Sequence, residues 1–335
     1  MRILFAGTAV VVVVAIAAAV WWGARDPAST TAAIDEVTLG TREACAAYDG
    51  VPAGWGEQPQ AGMRWIAAGT VAFGSDRGYA DERPVRAMEV PGFWIDRTEV
   101  TNAQFARFVQ ATGYVTSAEQ GGGAAQFVAP SGERAVKTPG DWWTLAEKTD
   151  WRHPDGPGSS LEGRAQEPVV HVSYADAQAY AQWLGHELPS ELEWEFAAKA
   201  GRDNQTADAS VRDAASRPLA NFWQGLFPYD NRVEDGYPGR APVGCFPPNP
   251  NGLHDMVGNV WEWTRDAYAD RGAASVAAPS GAVARQVIKG GSYLCSTNYC
   301  ARARASSRQP QDADLPTSHV GFRTIARGPA PTPRP

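Results

Sequence analysis

Cys295 and Cys300 stand five positions apart in GGSYLCSTNYCARARASSR, behind a Gly-Gly pair and ahead of Arg302, Arg304 and Arg308. Two thiols at this spacing can close a small-loop disulfide, hold a soft metal or cycle as a redox pair. The chain has four cysteines, at 45, 245, 295 and 300. In an oxidising compartment four cysteines read most simply as two disulfides. No CxxC is present, and no Cys/His cluster has the spacing of a structural zinc site.

Oxygen donors gather in two further stretches. NFWQGLFPYDNRVEDGY supplies Asn221 and Asp235 with several carbonyls, and HDMVGNVWEW supplies Asp255, Asn259 and Glu262. Carboxylates, amide oxygens and carbonyls are what a hard cation such as calcium takes, six to eight at a time. EF-hand spacing is absent, so a cation site here would be irregular, and local Asx turns are the other reading of the same residues. The span between Asp203 and Asp255 has little periodicity, and something must order a stretch that long inside a compact domain.

The elements that must position these residues announce themselves by their ends. Thr101 with Gln104, Ser173 with Asp176 and Ser190 with Glu193 form three capping boxes. The helices that follow stop at Gly113, Gly185 and Gly201, and the last two are expected to form a hairpin across GHELP. FWIDRTEV, RQVIKGGSYL and VGFRTIA read as short strands. Together they predict an α+β fold, one loop-rich domain with little regular secondary structure. With 34 Gly and 25 Pro, packed loops are expected to outweigh helices and strands.

No internal repeat divides the chain. Residues 1–22 read as a signal anchor or signal peptide, since Arg2 precedes an apolar run over residues 3–22 that is long enough for one bilayer span. Residues 23–60 read as a linker, 61–328 as the one folded domain and 329–335 as a disordered tail. Either reading of the leader sends the domain out of the cytoplasm, to a periplasmic or cell-surface location, with membrane contact through the N-terminal segment. A net charge of −7 excludes a general nucleic-acid binder, which would need a basic surface.

Several segments together resemble the formylglycine-generating enzymes, also called sulfatase-modifying factors. They are WRHPDGPGSS, EPVVHVSYADAQAYAQWLGHELPSELEWEFAAKAG, NFWQGLFPYDNRVEDGY, APVGCFPPNPNGLHDMVGNVWEW, GGSYLCSTNYC and HVGFR. The likeness runs from about Gly62 to Arg327 and implies the sulfatase-modifying-factor fold, C-type-lectin-like and calcium-stabilised. The helix and VGNVWEW segments are shared with a wider superfamily and speak for fold; the paired cysteines are far more specific.

The activity implied is copper-dependent, oxygen-consuming oxidation of a cysteine to formylglycine. The target cysteine lies in a C-x-P-x-R motif of an unfolded or nascent sulfatase, and a thiol reductant takes part. By motif position Cys295 and Cys300 would hold copper(I), with Ser292 and Tyr299 lining the oxygen and thiol pocket and Trp261 walling it. The substrate thiol would join the metal, lose a hydrogen from its β-carbon, and hydrolyse from thioaldehyde to aldehyde. Two calcium sites are also implied. The first would use Asn221 and Asp235 with the carbonyls of Phe222 and Tyr237. The second would use Asp255 and Glu262 with the carbonyls of Gly258 and Val260.

The resemblance has departures. Ser296 and Thr297 stand where many members carry a His-Arg-like pair, and His319 where they often have Asn. Ala181, Thr324, Ala198 and Ala305 replace two cysteine pairs of some relatives. Cys45 and Cys245 are then left either to bridge linker and domain or to stay as two thiols. Candidate substrate contacts are Trp142, Trp143, Ser296 and His319, with Glu82 or Asp96 as partner for the motif arginine. Three rivals remain: an oxidase acting on another cysteine peptide, a non-catalytic member binding peptide or glycan, and a thiol-disulfide oxidoreductase, which would lack its CxxC.

Overall fold

The computed structural model describes residues 39–130, 138–202, 206–269, 271 and 283–331. The leader at 1–22, residues 23–38 of the expected linker and the last four residues of the tail lie outside the described residues. Among the described residues no helix is long and apolar enough to cross a membrane.

In chain order the helices are α1 (Arg42–Ala46), α2 (Asn102–Thr112), α3 (Ser117–Gly121), α4 (Tyr174–Trp183), α5 (Glu191–Lys199) and α6 (Ala207–Val211). The strands are β1 (Met63–Ile66), β2 (Gly69–Phe73), β3 (Arg86–Val90), β4 (Phe93–Asp96), β5 (Gly123–Phe127) and β6 (Trp143–Glu147). They continue with β7 (Trp261–Ala267), β8 (Arg285–Lys289), β9 (Arg308–Asp312), β10 (Val320–Gly321) and β11 (Ile325–Ala326). Helices and strands are short and loops carry much of the chain, in keeping with the α+β expectation.

All three expected capping boxes form. Thr101 accepts from Gln104 N while Gln104 returns to Thr101 N, and the Ser173–Asp176 and Ser190–Glu193 pairs repeat the exchange. Each satisfies two backbone donors that a helix start leaves open. The expected hairpin is different: α4 packs on α2, whereas α5 packs against β2, β3, β7 and β8. The link between them is instead pinned to β11, with Glu187 and Ile325 exchanging both backbone hydrogen bonds at 2.9 and 2.8 Å.

Two sheets matter for the site. One runs β1-β4-β11, antiparallel; the other runs β10-β7-β8-β9, with β10 parallel to β7 and the rest antiparallel. VGFRTIA, read as one strand, is two: its first half joins the larger sheet and its second half the smaller. Between them the buried Arg323 pairs with Glu262 on β7 (Nε–Oε2 2.7 Å) and donates to the carbonyls of Asp96 (3.1 Å) and His254 (2.9 Å). The guanidinium needs acceptors from several directions, and the chain leaves the ladder to let it reach them. The core between these layers is strongly aromatic, with Trp151, Trp194, Trp261 and Trp263 all buried.

Residues 39–60 correct the linker expectation. Cys45 is buried and joined to Cys245 by a disulfide, Trp55 packs on the core beside Tyr180, and Thr101 Oγ1 donates to the Gly50 carbonyl. Composition suggested a tether because Ala, Gly and Pro dominate here; the three anchors that order it are partners distant in sequence. Of the two readings left open for Cys45 and Cys245, the bridge is the one found.

Candidate active site

β8 ends at Lys289 because the next two residues turn in the left-handed region: Gly290 has φ 96° and Gly291 φ 81°. At Gly291 a Cβ would lie 2.7 Å from Ala303 Cα, so only glycine permits the backbone after the second cysteine to return this closely. That return brings Cys295 Sγ and Cys300 Sγ to 3.2 Å, and both are free thiols. A disulfide requires about 2.05 Å, so the sulfurs are neighbours without a bond.

Each cysteine is held by its own surroundings. Cys295 N donates to Ser292 O (2.8 Å), Ser292 N approaches Cys295 Sγ (3.4 Å), and Cys295 O accepts from Trp223 N (2.9 Å). The stretch after Cys300 is strapped to residues 79–82. Ala301 N donates to Tyr79 Oη (3.2 Å), Arg302 stacks over the Tyr79 ring (4.0 Å) and pairs with Asp81 (3.2 Å), and Arg304 pairs with buried Glu82. Burial and the neighbouring Cys300 push the Cys295 thiol well up. The hydrogen bond from Cys295, and then Arg302 and Arg304, bring Cys300 below its ordinary value despite its burial. The pair is therefore asymmetric, with the thiolate favoured at Cys300.

A cavity of about 320 Å³ opens over both sulfurs. Trp142, Trp143, Trp261, Ser292, Cys295, Tyr299, Cys300 and His319 line it, eight residues anticipated from the sequence. Its rim is aromatic: Tyr299 stacks on Phe227 (4.7 Å between centroids) and meets Trp142 edge-on (5.5 Å). Tyr79, Phe227, Leu294, Arg302 and Gln309 also line it and were not anticipated. Arg302 could have been found from the basic run after Cys300; the others arrive through tertiary packing with no local signal.

Three expected substrate contacts lie elsewhere. Ser296 is buried and turned to the Gly225 carbonyl (3.4 Å) and Asn298 Oδ1 (2.8 Å). Glu82 is consumed by Arg304 and Ser306, because a buried carboxylate needs all its acceptor capacity filled. Asp96 accepts from Thr324 N and Oγ1, both at 2.7 Å, between β4 and β11. Thr297 lines a separate depression with Arg212, Trp223 and Arg232.

The two oxygen clusters are drawn together in the fold. Asn221 Oδ1, Asp255 Oδ1 and Glu99 Oε2 are buried with no hydrogen-bond partner among the described residues. Asp235 Oδ2 accepts from Phe222 N (3.0 Å) and Asp235 Oδ1 from Tyr237 N (3.0 Å). The two clusters touch: a Cβ on Gly258 would sit 2.3 Å from the Asn221 carbonyl oxygen. Burial lifts the Asp255 carboxyl to about 6 and raises Asp235. Orphaned buried oxygens and uncompensated carboxylates suit a hard cation. Glu262 fits less well, since Arg323 and Trp194 Nε1 (2.7 Å) already take both its oxygens. Among the described residues no three His, Cys, Asp or Glu side chains form a metal-binding group, so a cation here would depend on amide and carbonyl oxygens.

Comparison with known proteins follows this geometry. The sulfatase-modifying factor enzyme 1-like domain family matches residues 51–327. A formylglycine-generating enzyme of Mycobacterium tuberculosis is 40% identical over 287 residues, covering 78% of this chain and 96% of that protein. An inactive C-alpha-formylglycine-generating enzyme 2 of Mus musculus is 38% identical over 271 residues, covering 78% of this chain and 84% of the relative. Among solved structures, PvdO from Pseudomonas aeruginosa superposes with a TM-score of 0.53 at 23% identity, over 87% of this chain and 98% of its own, and speaks for the fold alone. Identity is nearly equal to active and inactive relatives, so the choice between them rests on the site.

Proposed function

The chain belongs to the sulfatase-modifying factor enzyme 1-like family, and from that premise we propose that it oxidises a cysteine of a C-x-P-x-R motif in exported sulfatases to formylglycine. The observation that carries this reading is the free Cys295–Cys300 pair at 3.2 Å under an aromatic cavity. A binding module would have no use for two unbridged thiols there. A dithiol exchanger would favour a more exposed pair, and Cys295 is 2% exposed.

Two adjacent thiols and no competing hard ligand suit copper(I). When bound by Cys295 and Cys300, copper(I) would supply the redox chemistry with oxygen. The chain does the rest. Trp142, Phe227, Trp261 and Tyr299 wall the cavity with apolar surface, which excludes water around the reacting sulfur. Arg302 and Arg304 favour the thiolate at Cys300, the form a metal takes. Ser292 orients Cys295 through its backbone, and the Gly225 clamp on Ser296 and Asn298 (3.0 Å) fixes the turn between the cysteines.

Calcium would be held by Asn221 and Asp235 with the Phe222 and Tyr237 carbonyls, and by Asp255 with the Gly258 and Val260 carbonyls, once Gln224 released the Phe222 carbonyl it now bonds. It would offset the buried negative charge of these carboxylates. The Cys45–Cys245 disulfide supports an extracytoplasmic setting, where such bonds persist.

The test is mass analysis of a C-x-P-x-R peptide after incubation with the copper-loaded chain, oxygen and a thiol reductant. Conversion of thiol to aldehyde is expected. Copper binding without conversion, on this and on sulfatase-derived peptides, would reject the assignment.

A further inference from the structure

His319 is 7% exposed and lines the same cavity as Cys295 and Cys300. Trp143 lies against its ring with centroids 4.7 Å apart, and the His319 carbonyl accepts from Trp261 N at 2.8 Å, which ties its backbone to β7. Nδ1 meets Thr317 Oγ1 at 3.1 Å. No described residue takes up Nε2, whose edge is left to the cavity.

The tautomer follows from counting donors. Thr317 is buried, and its hydroxyl has no other partner among the described residues. A buried hydroxyl proton must go somewhere, and His319 Nδ1 is the acceptor within reach. With Nδ1 accepting, the ring proton resides on Nε2. Burial holds the ring pKa down at about 3, with His171 adding to the effect, so the imidazole is neutral. The cavity that holds both cysteines therefore receives an uncharged N–H from His319.

We propose that His319 is a specificity-determining residue whose Nε2–H donates to the sulfur of the bound substrate cysteine. This rests on the cysteine-peptide reading above and deepens it. A neutral donor recognises a sulfur lone pair without neutralising a thiolate, and it leaves an unpaired buried N–H when the side chain presents a methyl group instead. Such a penalty is how a site rejects an isostere.

The test needs no turnover. Metal-free protein, kept reduced, is titrated with a C-x-P-x-R peptide and with the same peptide carrying 2-aminobutyrate for cysteine. The wild-type chain is expected to prefer the cysteine peptide roughly tenfold. His319→Leu should bring the two affinities together, and His319→Gln, which keeps a neutral N–H, should retain the preference. Nitrogen NMR of histidine-labelled wild-type protein, with His319→Gln assigning the signal, should show the Nε2–H form. Equal binding of the two peptides by the wild-type chain, an undiminished preference in His319→Leu, or an Nδ1–H tautomer would each overturn the proposal. If neither peptide binds while the Nε2–H form is seen, the substrate reading fails and takes this inference with it.

Discussion

Cys295 Sγ and Cys300 Sγ face each other across 3.2 Å with Cys300 the more acidic thiol, because Cys295 hydrogen-bonds to it, Arg302 and Arg304 add to the effect, and burial pushes its partner up. Two sulfurs so placed act as a unit, and losing either should cost nearly everything. Cys295→Ser and Cys300→Ser are each expected to lower peptide conversion by about three orders of magnitude, with the double variant no worse. Single-turnover mass analysis checks this; a single variant retaining more than a tenth of wild-type turnover would contradict it.

The Cys45–Cys245 bridge spans 200 residues of chain. Removing a link that closes so long a loop is expected to cost roughly 2–5 kcal/mol. Urea unfolding of the Cys45→Ser/Cys245→Ser double variant should show a lower midpoint, with a steeper slope as the unbridged unfolded chain exposes more surface. An unchanged midpoint would mean that the contacts of Trp55 and Gly50 hold the segment alone.

Calcium removal should be felt as lost stability before lost chemistry, since Asn221, Asp235 and Asp255 are buried and do not line the cysteine cavity. Chelation is expected to lower Tm by roughly 5–10 °C, restored by added calcium. Asp235→Asn should weaken that restoration. A Tm indifferent to chelator and to calcium would dismiss the cation reading of these loops.

His171 is fully buried, its Nε2 donates to the Pro154 carbonyl at 2.9 Å, and burial lowers its pKa to about 4 from 6.5. The unfolded chain therefore takes up this proton first. The associated stability is whole above pH 6.5 and is lost as pH falls towards 4, by about 3 kcal/mol. Urea midpoints measured between pH 7.5 and 4 should fall, and His171→Gln should flatten that part of the decline. An equally steep decline in the variant would place the effect on other groups.

What the sequence made legible was local or motif-borne. The capping boxes at Thr101, Ser173 and Ser190 need only residues three apart, whereas RQVIKGGSYL, read as one strand, stops at Lys289 because Gly290 and Gly291 take positive φ. Eight cavity residues were readable because they fall in or near segments whose order resembles a family. Tyr79 and Gln309 were invisible, since each reaches the cysteines through partners hundreds or tens of residues away. Glu82 misled for a related reason: a carboxylate near a cationic substrate and a carboxylate already spent on Arg304 look identical until the fold pairs them. Ser296 misled because adjacency to Cys295 says nothing about which way a tight turn points its side chain.

Arg323 and the short crossing from β10 to β11 also set the order in which the molecule can be made. Both sheets wait for residues 320–326, and His319, whose carbonyl fixes Trp261, immediately precedes them. A chain emerging from its N-terminus thus carries both cysteines for some twenty residues before the cavity around them can close. In that order of synthesis the segment that completes both sheets is the last to arrive, after all four cysteines.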